Sequence, residues 1–271
     1  MTNLVGVANL LDVGRGNETR VYRGQYRAIN SANIIPKWRD THSRMCGRFT
    51  IAVVIGLAER FRAESPSFEI MPRYNIAPSQ EVPVIVESGD DPFCREMVMM
   101  RWGLVPAWAD DNRMGNRMIN ARDDSLNSRP AYRHNVQHHR CLVPATGFFE
   151  WKQGGKKKIP CYIHRKDGAL FVFAGLYDTW KAPDAPALQT FAIVTTEPNL
   201  LVAPLHNRMP VILRSGDEER WIRRGPLTEA DLGEILVPYP EHELETYRVS
   251  SAVNKPDYES PEAIRRINER F

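Results

Sequence analysis

The sequence predicts an α+β domain: a single compact unit of mostly antiparallel strands in a distorted barrel-like arrangement, with a few helices. Three observations lead there. Short segments rich in Val, Ile and Phe recur between loops bearing Pro and Gly. Few stretches carry helical spacing of apolar residues. No internal repeat or low-complexity tract interrupts this texture, and 271 residues suffice for a substantial core.

The elements follow in chain order. Residues 1–44 have little sustained periodicity, several glycines and scattered arginines, and read as a disordered arm or a mis-assigned start ahead of a domain over 45–271. CGRFTIAVVIGLAERF begins extended and passes into a helix with Leu57, Ala58 and Phe61 facing a core. MPRYNIAPSQEVPVIVE reads as a Pro-punctuated loop followed by a strand, Val82–Val86. EMVMMRWGLVP is a second strand, and Ala107–Ile119 a long loop. Cys141–Val143 and Gly147–Trp151 read as two short strands around a turn. IPCYIHRK, GALFVFAGLYDTW, LQTFAIVTTEP and PVILRS supply further strands, with GGKKK as a hairpin loop. TEADLGEIL predicts a helix capped by Thr228 with Asp231 at the third position.

Composition bounds the function. Hydrophobic residues at 42% and charged residues at 25% are ordinary for a globular protein. No apolar run is long enough to span a bilayer, and LVGVANLLDVG lacks the layout of a secretory signal. Cys46, Cys94, Cys141 and Cys161 form no CxxC pair, which argues against a zinc ribbon or disulfide scaffold and for a reducing, intracellular setting. The net charge of +3 divides unevenly: residues 1–45 carry +4 and the remainder −1. Overall charge therefore does not identify a nucleic-acid partner. The stretch from Arg101 to Arg140 has the local character that could, with seven arginines against four aspartates.

Met45-Cys46-Gly47-Arg48 looks like the start of a protein set behind forty-four residues. A terminal cysteine offers two nucleophiles on adjacent carbons, a thiol of pKa about 8.5 and an amine of about 7.7–8.0. The amine condenses with an aldehyde to an imine, and the thiol closes a five-membered thiazolidine. Neither forms when that nitrogen is a peptide amide.

MCGRF, RYNIAPSQ, RWGLVPAWA, INAR, CLVPATGFFEWK, FAIVTTEPN and LHNRMPVIL occur in that order between Met45 and Leu213. This ordered set closely resembles the SOS response-associated peptidase family, whose members shield abasic sites in single-stranded DNA. The resemblance implies that Cys46 is the nucleophile and that Asn120 holds the cysteine terminus. It makes Glu150 the catalytic carboxyl, a suitable proton shuttle in an apolar setting. His206 would assist ring opening or crosslink reversal. It implies phosphate contacts for Arg48 and Arg122, with Arg73, Arg129 and Arg208 as further candidates. Trp108 and Trp151 would stack on bases, whereas Trp102 reads as core and Ser250 and Asn254 as periphery. No metal or cofactor is implied. The expected partner is single-stranded DNA with an abasic site, the protein a monomer with no membrane contact. Its expected location is cytoplasmic and DNA-associated, or nuclear in a eukaryote.

This chain departs from the family pattern in reading NARDDS, with Ser125 where threonine is common. A larger departure is the extension, which caps the Cys46 amine. Translation beginning at Met45, self-cleavage before Cys46, and a permanent extension on a noncovalent DNA binder are the three readings. The change of charge and texture at that boundary favours the first. Rival chemistries are a glutamine amidotransferase using a terminal cysteine and a peptidase built on Cys46, His206 and Asn120. RYNIAPSQ, GFFEWK and LHNRMP stand outside the former.

Overall fold

The computed structural model describes residues 47–88, 94–155, 157–183 and 186–267. The extension and Cys46 lie outside the described residues. The chain enters through β1 (Phe49–Ile51), α1 (Leu57–Phe61), β2 (Arg73–Ile76), β3 (Glu81–Glu87) and β4 (Arg95–Trp102). After a loop come β5 (Asn120–Arg122), α2 (Pro130–Arg133) and α3 (Asn135–His138). Then follow β6 (Arg140–Ala145), β7 (Gly147–Gly154), β8 (Lys157–Arg165), β9 (Phe171–Trp180) and β10 (Leu188–Thr196). β11 (Met209–Pro210), α4 (Ser215–Ile222), α5 (Glu229–Ile235) and β12 (Leu244–Arg248) complete the order. Among the described residues no helix is long and apolar enough to cross a membrane.

The pairing β10-β4-β3-β6-β9, closed by β9 on β10, makes a five-stranded barrel. Closure leaves no open edge and suits strands such as EVPVIVE, in which six of seven residues are buried. β10 organises it. Antiparallel β9 pairs with it from Leu188 to Ile193, and β11 continues at Thr195 and Thr196. Parallel β4 pairs with it at Thr190 and Phe191, and parallel β5 from Ile193 to Thr195. The second sheet, β12-β8-β7-β1-β2, packs on the barrel. Phe49 and Phe148 from that sheet meet Trp102 and Phe173 of the barrel, with ring centroids 5.1 Å (Phe49–Trp102) and 6.0 Å (Phe148–Phe173) apart. Each fully buried aromatic contributes about 1.5–3 kcal/mol through lost apolar exposure. Trp102 is core, as expected from the sequence.

β6 and β7 depart from expectation. They are not a hairpin: β6 belongs to the barrel and β7 to the second sheet. Thr146 is the crossing point. Its hydroxyl shares a 2.8 Å hydrogen bond with the Thr50 hydroxyl, which shares another of 2.9 Å with that of Tyr162. Burial pushes the Tyr162 phenol up to about 12, so it stays a neutral partner. A Cβ on Gly147 would meet the Tyr162 ring at 2.2 Å, so only glycine lets the two strands approach. Tyr162→Phe is expected to cost about 1 kcal/mol, read as a lowered urea midpoint; an unchanged midpoint would show the hydroxyl chain to be neutral.

Other differences have local causes. RYNI within the expected loop is strand β2, because it pairs with β1 through Phe49↔Ile76 and Ile51↔Arg73. PVILRS is strand only at its start, since Ile212 makes an isolated bridge to Phe173. The loop Ala107–Ile119 holds a short 3-10 helix over Asn112–Arg117, opened by Asp111 accepting from the Arg113 N–H. The Thr228 cap forms as expected, including the reciprocal bond in which the Thr228 N–H donates to the Asp231 carboxylate.

Candidate functional site

Glu150 is the one candidate carboxylate that the fold buries, at 3% exposure. Strand alternation explains how. Phe148 and Glu150 face the barrel, while Phe149 and Trp151 face a smaller cluster on the other side. Thr50 pairs with Gly147 and Phe49 with Phe148, and the Phe149 N–H donates to the Arg48 carbonyl at 3.0 Å. One further step of that register sets Gly47 level with Glu150. The residue before Gly47 is Cys46, which lies outside the described residues.

Asn120, Arg122, His206 and Arg208 gather around β10. Asn120 opens β5 opposite Ile193, and Arg122 closes it opposite Thr195. The Thr195 carbonyl accepts from the Arg208 guanidinium, which also pairs with Asp123. His206 sits on the loop between β10 and β11. That loop is anchored by Asn199, whose amide donates to the Tyr239 carbonyl at 2.7 Å and accepts from the Val202 N–H at 3.0 Å. The His206 Nδ1 accepts from the Arg208 N–H at 3.1 Å, so the neutral ring carries its proton on Nε2. Trp102 links this group to β1: Phe49 packs on its ring, and its indole donates to the Ile119 carbonyl at 2.9 Å, one residue before Asn120.

Arg122 is exposed and grips Asp124 through two bonds of 2.6 and 3.2 Å. That guanidinium holds the Asp124 carboxyl below the usual carboxylate range. Arg129 is exposed at the start of α2, and Trp108 stands 60% exposed on its loop. A cleft of about 320 Å³ is lined by Asp123, Asp124 and Glu229, together with Leu232 and Leu236. Its acids disfavour a phosphate backbone.

Arg48, Arg73 and Trp151 are on the opposite face, engaged with the C-terminal segment. Arg48 donates to the Val253 carbonyl at 2.6 Å, the Asn254 carbonyl at 3.3 Å and Asn75 Oδ1 at 3.0 Å. Burial pushes its guanidinium below the ordinary arginine value. The Trp151 indole donates to Asn254 Oδ1 at 2.7 Å, and Arg73 pairs with Glu259 at 3.0 Å. Ser250 caps the turn that carries Asn254. Sequence reasoning gave no role to Asn75, although RYNIAPSQ contains it. It is fully buried and donates to the carbonyls of Val253, Lys255 and Tyr258. Its place inside the motif RYNIAPSQ was the available signal.

The described residues therefore form two groups. Glu150 lies on the barrel side of the second sheet, and Asn120, Arg122, His206 and Arg208 gather around β10 in the barrel. Arg48, Arg73 and Trp151 hold the back of that second sheet. No cluster of three or more His, Cys, Asp or Glu side chains among the described residues is arranged to hold a metal ion.

Comparison with known proteins matches the same span. The family model for SOS response associated peptidase (SRAP) covers residues 45–256. The abasic site processing protein YoqW of Bacillus subtilis is 41% identical over 224 residues, 81% of this chain and 99% of that protein. The abasic site processing protein HMCES of Xenopus tropicalis is 28% identical, covering 75% of this chain and 69% of its own length. A crystal structure of a Bacteroides thetaiotaomicron protein superposes with a TM-score of 0.73 at 29% identity, covering 82% of this chain and all of that one.

Proposed function

Because the chain belongs to the SOS response associated peptidase (SRAP) family, we propose that it processes abasic sites in single-stranded DNA through a covalent thiazolidine on Cys46. The observation that supports this reading is the burial of Glu150 on β7, the strand that pairs with β1 a few residues after Cys46.

An abasic site in its ring-opened form presents an aldehyde. The Cys46 amine adds to it, water leaves to give the imine, and the thiol adds to the imine carbon as its proton passes to nitrogen. These steps need a group that gives and takes protons, the role of Glu150 in its water-poor setting. Asn120 donates and accepts without titrating, suiting it to hold the terminal amine. His206, with Nε2–H outward from its backbone anchor, serves the sugar hydroxyl. Arg48, Arg73, Arg122, Arg129 and Arg208 take phosphates, and Trp108 and Trp151 take bases. Arg48, Arg73 and Trp151 would do so beside, or in exchange for, their C-terminal contacts.

The amine must be released for any of this. Initiation at Met45 with loss of that methionine supplies it, as does thiol-dependent self-cleavage before Cys46. The intact mass of the protein from its native host distinguishes a chain starting at Cys46 from one starting at Met1. The functional test compares the 271-residue chain with one beginning at Cys46, each incubated with an abasic oligonucleotide. The shorter form is expected to give an adduct stable to denaturing electrophoresis and Cys46→Ala none, while the longer form gives one only after it has cleaved itself before Cys46. Equal adduct from Cys46→Ala would overturn the thiazolidine.

A further inference from the structure

A basic pair outside the groups above borders Glu150. Glu150 pairs with Cys161 across β7 and β8, and Arg248 pairs with the same Cys161 across β12 and β8. Directly opposed residues of antiparallel strands point to one face, so Glu150, Cys161 and Arg248 form a row on the barrel side. Lys152, two residues beyond Glu150 on β7, shares that face and is exposed. The surroundings of the Cys161 thiol agree. Burial pushes it up, Lys152 and Arg248 pull it down, and Glu150 opposes them, so all four groups share one neighbourhood.

The remaining charges on β12 point elsewhere. Glu245 lies on the opposite face, paired with His164 at 3.0 Å and with Arg266 at 2.8 Å. Strands are spaced about 4.8 Å apart, which puts the Arg248 backbone about 10 Å from that of Glu150, a gap that an extended arginine largely spans. The face thus runs from apolar core at Phe148, through a buried carboxyl, to a rim of two cations.

We infer that Lys152 and Arg248 form a phosphate seat on the barrel side of β7 and β12, taking the single-stranded DNA backbone next to the nucleotide at Glu150. The inference rests on the proposed DNA reading and adds residues that it does not use. Arg248 supplies a two-pronged donor and Lys152 a point charge. Each phosphate taken at the seat releases a counterion from the DNA strand.

The test is noncovalent binding of the full 271-residue chain to an intact single-stranded oligonucleotide, followed across a salt series. The slope of log K against log salt is expected to flatten by about 0.7 in Lys152→Gln or Arg248→Gln and by about 1.4 in the double variant. Arg248→Lys is expected to keep the wild-type slope, which separates charge from packing. Lys152→Gln is an exposed change and serves alone if Arg248→Gln does not fold. Wild-type binding with the slope unchanged in folded variants overturns this seat and leaves the DNA reading standing. A wild-type chain without salt-dependent binding overturns both.

Discussion

Glu150→Gln, in the chain beginning at Cys46, is expected to slow adduct formation with an abasic oligonucleotide by about 100-fold or more. The substitution preserves size and hydrogen-bonding shape while removing the capacity to move a proton. In the proposed scheme, burial at 3% exposure would give the carboxyl its leverage, since bulk water cannot take over a shuttle there. Affinity for intact single strands is expected to stay within about twofold, because the side chain is not a phosphate ligand in this scheme. Single-turnover adduct yield on denaturing gels checks the first part and a binding titration the second. A rate within threefold of wild type would remove Glu150 from the chemistry.

Asn75→Ala is expected to lower stability by about 3 kcal/mol or more, read from chemical denaturation. The amide donates to the carbonyls of Val253, Lys255 and Tyr258 and accepts from Arg48. Truncation would remove the donor to the Tyr258 carbonyl, one of two donors at the Val253 and Lys255 carbonyls, and the Arg48 acceptor, and replace them with nothing. Hydrogen exchange should then rise first over residues 253–258, ahead of the barrel strands, because these carbonyls anchor that segment to β2. Uniform acceleration across the barrel instead would show that Asn75 supports the fold as a whole.

The contrast between these two residues shows what a sequence discloses. The barrel strands were legible because Val, Ile and Phe runs such as Glu81–Glu87 and Phe171–Trp180 announce burial by composition. Strands β2 and β12 were not, since RYNI and LETYR mix polar and apolar residues and become strands by pairing with distant partners. α4 also escaped, its SGDEERWI reading polar although Trp221 and Ile222 are buried. Glu150 stood out because two phenylalanines and a tryptophan frame it. Asn75 did not, because its importance lies in three carbonyls some 180 positions away. The family resemblance supplied candidate roles, and the fold supplied neighbours. It shows that Arg48, Arg73 and Trp151 already have partners in the C-terminal segment.

That arrangement carries a consequence for how the protein comes into being. Arg48 and Val253 are 205 positions apart, yet they meet directly. During synthesis β1 emerges well before the carbonyls that fix its arginine, which follow some 200 residues later. Closing so long a span carries an entropic cost that local contacts cannot offset beforehand, so this seam belongs to the slow end of folding. The strand next to Cys46 therefore reaches its final setting only when the domain is nearly complete. A nascent chain would not carry this seam, and with it the finished entry to β1, while the domain is still being made.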